Sequence, residues 1–250
     1  MYPFPVNYFG KSIEPILLLA YKKTKFITVS DSTKKSLINV GIKSENISVI
    51  NNGIRQKHLN FLPDKQKIPT FIFVSRVVKM KGVEEVIKSF FFILKELKNA
   101  NLWIVGDGDK KYIEHLKRTM HLYSISTKIN FFGFVSENRK LHLMSKAHIL
   151  LHASVKEGWG LVVVEAASCG TPSVVYNVAG LRDSVLNNKT GVVLKKNSPQ
   201  EMARETVSLY KDKRRYLNFK KNSLLWAKSL TWEKATRQSQ ILIEKVARVG

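Results

Sequence analysis

From Thr70 to Val193 the chain alternates between short apolar runs and longer segments of helical period. The runs "TFIFVSR", "NLWIVGDG", "KINFFGFV", "HILLHAS", "PSVVYN" and "TGVVLKK" read as strands. The segments "VEEVIKSFFFILKELK", "KKYIEHLKRTMHLY", "ENRKLHLMSKA", "LVVVEAASCG" and "GLRDSVLNN" between them read as helices. Strands that are apolar nearly throughout, joined by helices, predict a parallel sheet buried on both faces. The fold class is therefore α/β, a Rossmann-like parallel sheet with helices on both faces. Ligands of such sheets bind beyond the carboxyl ends of the strands, so the turns that follow them are where chemistry is sought.

The flanks are simpler. "KFITVS", "SDSTKKSLINVG" and "ISVINNG" predict a strand, a helix capped by Ser30 or Ser32, and a second strand ending in an Asn-Gly turn. A polar stretch with two prolines, Pro63 and Pro69, reads as a linker. Two helices are expected after Pro199, the second, Arg214 to Arg248, broken near Ser229 to Thr231.

Composition limits the partners. The single cysteine, Cys169, excludes an internal disulfide and is read as a small buried hydrophobe. No apolar run is long enough to cross a bilayer, the start lacks signal-peptide order, and the expected setting is the cytoplasm. A formal net charge of +23 favours polyanions. It fits either plain solubility or a peripheral position on an anionic membrane surface. Charge alone also admits nucleic acid, but no nucleic-acid motif or stacking platform accompanies it. The histidines lack metal-ligand spacing, and no metal site is expected. His152, at a strand end, is open to two readings, facing the site or structural.

Four turns carry candidate residues. "VSRVVKMKG" sets Arg76 after a strand and Lys81 with Gly82 at a helix entry, an arrangement suited to an anion. In "VGDGD", Gly106 and Gly108 are expected to let backbone approach a ligand closely. "SVKEGWG" supplies Glu157, Gly158 and Gly160 before a helix whose first N–H groups are free. "NVAGLRD" adds Ala179 and Gly180. Two cations and one helix end provide roughly 3–7 kcal/mol toward a phosphorylated ligand, before the costs of binding. Glu165 lies inside an apolar run and needs a partner. A ribose diol or a lysine would serve. Trp159 reads either as packing or as a platform for a sugar.

Taken together, "EGWGLVVVEA", with Glu157 and Glu165 at E-x7-E spacing, "VSRVVKMKG", "LWIVGDGD", "INFFGFV", "GTPSVV" and "TGVVL" resemble the retaining nucleotide-sugar glycosyltransferases of family 4, with the GT-B fold. "VSDSTKKSLINVGIKSENISVINNGI" resembles the end of that family's first domain and "LTWEKATRQSQILIEKV" its closing helix. The resemblance covers the chain from Lys25 onward. It implies a remnant of the acceptor-side domain over 1–55, a linker over 56–69, a donor-binding domain over 70–228 and a terminal helix over 229–250 that crosses back toward the first domain. The short first domain implies a fragment, a mis-started frame or half of a split enzyme, its apolar surface covered by a protein partner or a second copy.

By the same resemblance, the donor is a UDP- or GDP-linked sugar and the acceptor a glycan, lipid-linked or protein-linked group. No separate cofactor is implied. Arg76 and Lys81 would hold the diphosphate, Glu157 the hydroxyls of the donor sugar and Glu165 the ribose. Backbone groups of Gly158, Trp159, Gly160 and Leu161 would line the sugar and phosphates. Transfer would retain anomeric configuration without a metal. The alternative is a nucleotide-sugar-binding subunit that is catalytically incomplete without a partner. Ala179 and Asp183 stand where the family often has glycine and glutamate.

Overall fold

The computed structural model describes residues 20–54 and 64–248. The amino-terminal run with most of "PILLLAY", the larger part of the predicted linker and His58 lie outside the described residues. The chain divides into two compact units, one drawn from residues up to Gly53 and from Trp232 onward, the other Ile54–Thr231.

The larger unit is built on six parallel strands: β3 (Thr70–Val74), β4 (Asn101–Val105), β5 (Ile129–Gly133), β6 (Ile149–His152), β7 (Ser173–Val175) and β8 (Gly191–Val193). Their spatial order is β5-β4-β3-β6-β7-β8. The chain first works outward from β3 and then restarts on its other side at β6. The direction of winding thus reverses between β3 and β6, and the crevice there is the place where such sheets bind ligands.

The side-chain period of two sorts the strand residues into two cores. Phe71, Phe73, Leu102, Ile104, Ile149 and Leu151 face one layer, where Val86, Ile87 and Phe90 of helix α2 (Val83–Glu96) and Met202 and Leu209 of α7 (Pro199–Lys211) cover them. Ile72, Val74, Leu150 and Val175 face the other, under Leu141 and Met144 of α4 (Glu137–Lys146) and Val163 and Ala166 of α5 (Leu161–Ser168). Burial on both faces explains why the strands read as continuous apolar runs.

Helix starts follow the side chains able to cap them. Asp109 accepts the Tyr112 N–H before α3 (Lys110–Leu122), Ser136 that of Arg139 before α4, and Ser198 that of Glu201 before α7. The short α6 (Leu181–Ser184) is closed by Asp183, whose carboxylate accepts the Gly180 N–H at 3.0 Å. The helix α8 (Lys213–Lys228) begins at Asp212, which accepts the Arg215 N–H.

In the smaller unit, β1 (Phe26–Thr28) and β2 (Ile47–Val49) pair in parallel around α1 (Asp31–Asn39), and Ser30 caps that helix through the Thr33 N–H. The last helix, α9 (Trp232–Ala247), belongs to the same unit. The break at residues 229–231 is where the sequence predicts it. Ile27, Trp232 and Ile243 of this unit remain exposed.

Candidate active site at the strand-order reversal

The loops after β3, β4, β6 and β7 are tied to one another by hydrogen bonds. The Val77 N–H donates to the Asp107 carbonyl at 2.8 Å, joining the β3 and β4 loops. The Val155 N–H and the Ser154 hydroxyl both donate to the Met80 carbonyl, at 2.9 and 3.1 Å, joining the β3 and β6 loops. The Glu157 N–H donates to the Ala179 carbonyl at 3.3 Å, joining the β6 and β7 loops. The expected rim is therefore a continuous structure at the carboxyl ends of the strands.

Most glycines here serve that construction. A side chain at Gly106 would overlap the Ser75 carbonyl, and one at Gly108 the Val77 carbonyl. Closure between neighbouring loops, rather than close approach of a ligand, is what requires glycine at both positions. Gly82 (φ 71°) similarly admits the Ala153 carbonyl, and Gly180 (φ 80°) the Glu157 carbonyl. Gly160 (φ 58°) ends the loop in a left-handed conformation directly before α5. Gly158 differs from all of these. It is exposed, outside the left-handed region, and has open space where a Cβ would stand.

Lys81 and Glu157 meet across the reversal point. Lys81 Nζ lies 2.5 Å from Glu157 Oε1, and the two side chains are 19% and 15% exposed. His152 Nε2 lies 3.5 Å from the same oxygen. Burial opposes the Glu157 charge, but His152 and the Lys81 ammonium hold its carboxyl down at about 2. It is ionised at any working pH. His152 is 1% exposed, burial lowers its proton affinity, and among the described residues neither ring nitrogen has a well-aligned hydrogen-bond partner, the 3.5 Å approach of Nε2 to Glu157 Oε1 being too long for one. Arg76 is exposed, and its guanidinium has no partner among the described residues.

Glu165 has a partner of its own. Its Oε2 receives a hydrogen bond from Lys140 Nζ of α4 at 2.8 Å, and Lys140 also reaches Glu137 at 3.0 Å. Burial raises the Glu165 carboxyl's proton affinity against the pull of that lysine. The partner that its place in an apolar run demanded is thus a lysine. Sequence reasoning did not find Lys140, because 25 residues separate the pair and no local pattern marks it. Trp159 turns its ring into the interior, at 5% exposed, so the ring is a packing group and not a stacking platform. Leu161, at the start of α5, is 42% exposed.

The Glycosyl transferases group 1 family matches residues 54–226, most of the chain and nearly all of the larger unit. The chain belongs to that family. It is 30% identical over 202 residues to an uncharacterized glycosyltransferase, MJ1607, of Methanocaldococcus jannaschii, covering 74% of this chain and 50% of the relative. It is 26% identical over 206 residues to the capsular polysaccharide biosynthesis glycosyltransferase CapM of Staphylococcus aureus, covering 76% and 50%. The chain spans about half the length of these curated relatives.

Among solved structures, HepE of Anabaena, determined in complex with UDP and glucose, superposes with a TM-score of 0.81. Its identity is 18%, and the match covers 96% of this chain and 68% of that one. The likeness is one of fold, and it agrees with the GT-B glycosyltransferase architecture expected from the motifs. Among the described residues no helix is long and apolar enough to cross a membrane.

Proposed function

We propose that this glycosyltransferase chain carries the donor site of an enzyme that transfers a sugar, with retention of configuration, from a UDP- or GDP-linked donor to a glycan, lipid-linked or protein-linked acceptor. One observation carries the reading. A cation–carboxylate pair, Lys81 with Glu157, bridges the point of strand-order reversal, and a second, unpartnered cation, Arg76, stands on the same tied loops. Two cations on rigid, mutually bonded loops are preorganised for a diphosphate.

The chemistry follows from charge. When the bond from the anomeric carbon to the diphosphate breaks, the electron pair stays with the departing phosphate oxygen. Arg76, Lys81 and the free N–H groups at the start of α5 stabilise that charge. Glu157 is ionised and therefore cannot act as a general acid. Its role is to accept hydrogen bonds from donor-sugar hydroxyls. Its Oε1 faces Lys81 and His152, and Oε2 is the oxygen left for the sugar.

The open space at Gly158 suits a ligand running along the loop from Glu157 to Leu161, close to the backbone of Gly158, Trp159 and Gly160. Glu165 with Lys140 forms a polar pair suited to a ribose, its carboxylate accepting from the diol. Gly106 and Gly108 act indirectly, by closing the loops that hold Arg76 in place.

Calorimetry with UDP- and GDP-linked sugars tests this. Arg76→Ala removes a charged hydrogen-bond donor and is expected to weaken binding by about 10- to 100-fold. Equal affinity in wild type and variant removes Arg76 from the diphosphate site.

A further inference from the structure

His152 stands out among the site residues because the chain itself gives it so little. It ends the central strand β6, it is 1% exposed, and among the described residues neither nitrogen has a well-aligned hydrogen bond. Its ring packs edge-to-face with that of Phe73, with centroids 5.6 Å apart and planes at 76°. Its neighbours Leu150 and Leu151 fill the same strand with apolar bulk, which would satisfy this position more cheaply. An imidazole that the chain leaves without a well-aligned partner has a use that an apolar side chain would not serve.

The neighbouring ion pair identifies that use. Lys81 and His152 both face a single oxygen, Glu157 Oε1, from 2.5 and 3.5 Å. Lys81 is a point charge on a flexible stem, free to turn toward a more highly charged anion. A diphosphate arriving beside Arg76 competes with Glu157 for it. If Lys81 turns to the phosphates, Glu157 is left as a largely buried carboxylate with no cation, a costly arrangement. His152 is the nearest remaining group.

We propose that His152 is a positioning residue for Glu157: as a nucleoside diphosphate draws Lys81 away, His152 takes up a proton and holds the carboxylate in place. The inference rests on the donor reading above. The proton comes from solvent, and the imidazolium Nε2 then donates to Glu157 Oε1. Among the described residues, Glu157 and Lys81 are the charged groups that act on the ring. Tyr176, whose N–H donates to the His152 carbonyl, directs its hydroxyl to Glu85 Oε2 at 3.1 Å. Burial lowers the ring's proton affinity, and the Lys81 charge acts in the same sense, against Glu157, which raises it. Removing that charge while the carboxylate stays takes away one influence that lowers the ring's proton affinity and keeps the Glu157 influence that raises it.

The test is calorimetry of the full chain with UDP and with GDP at pH 7.5, in two buffers of different ionisation heat. The terminal phosphate, with a pKa of about 6, is already ionised at that pH, so any proton bound belongs to the protein. Wild type is expected to take up between about half a proton and one proton per nucleotide, and to bind more tightly as the pH falls, by up to about tenfold per pH unit. His152→Gln keeps an N–H donor but cannot titrate, and it is expected to lose both the uptake and the pH dependence. Zero uptake in wild type, or equal uptake in the variant, overturns the proposal and leaves the donor reading intact. Absence of any binding heat with either nucleotide overturns the donor reading and this proposal with it. If the variant does not fold, ring-nitrogen NMR of wild type decides. One histidine should pass from neutral to doubly protonated on adding UDP or GDP, and no change in any histidine overturns the proposal.

Discussion

At the carboxyl edge of the six-stranded sheet Lys81 meets a carboxylate, whereas at the amino edge Lys65 meets only neutral groups. Lys65 Nζ donates to the Ala147 carbonyl and the Thr171 hydroxyl, each at 2.7 Å. Burial, with help from the Lys220 charge, lowers its proton affinity to about 7. A histidine accompanies each lysine. His148 Nδ1 accepts the Thr70 N–H at 3.1 Å, the His148 N–H donates to the Thr70 carbonyl at 2.7 Å, and the His148 carbonyl accepts from the Tyr216 hydroxyl at 3.1 Å.

The amino edge therefore satisfies its own polar groups. The carboxyl edge does not, since among the described residues His152 lacks a well-aligned bond, Arg76 lacks a partner and Gly158 faces open space. The same residue types serve as structure at one edge and remain available for a ligand at the other. Whether the chain itself completes the hydrogen bonding separates the two roles.

The comparison can be broken at either edge. The largest effect is expected at Gly82. An alanine there must take a left-handed φ and would overlap the Ala153 carbonyl. Gly82→Ala should cost at least about 3 kcal/mol, read as a lowered urea midpoint. A wild-type midpoint in that variant would mean that the β3 and β6 loops are not rigidly tied.

Acid comes next. Burial, and then Lys65, push the His148 imidazole down to about 4. Its folded-state proton affinity is thus below the unfolded value, so its contribution is complete above pH 6.5 and is lost as pH falls from there toward 4. The loss should approach about 3 kcal/mol, and His148→Asn should flatten that part of the stability profile. A profile unchanged by the substitution would contradict a neutral, bonded His148.

A smaller effect lies on the alkaline side. Lys65 loses its proton more readily in the folded state, so stability should rise between pH 7 and pH 9, by about 2 kcal/mol. Lys65→Met should remove that rise. A rise that persists in the variant would place its origin elsewhere.

The smallest effect on stability is expected at Gly158. Alanine fits there without strain or overlap, so the melting midpoint should correspond to a change within about 0.5 kcal/mol. Nucleotide-sugar affinity should nevertheless fall. Unchanged affinity would mean that no ligand approaches this backbone.

Local periodicity was enough to read the order of elements, the parallel sheet, the start of α1 near Ser30 or Ser32 and the break before α9, because strand and helix periods are written in neighbouring residues; the structure chose Ser30 as the cap. The motif spacing was likewise enough to bring Arg76, Lys81 and Glu157 to notice as a group. Contacts between distant residues were not legible in this way. The Lys81–Glu157 pair joins residues 76 apart, and Lys140 reaches Glu165 only because α4 and α5 pack side by side.

The glycines show the limit most clearly. Gly82, Gly106, Gly108 and Gly158 look alike in the sequence, but only the packed loops decide that three of them make room for a neighbouring carbonyl and one makes room for nothing in this chain. His152 is the same kind of case. A strand-end histidine in an apolar run predicts burial, but whether its nitrogens find partners depends on three loops and one ion pair that exist only once the sheet has formed.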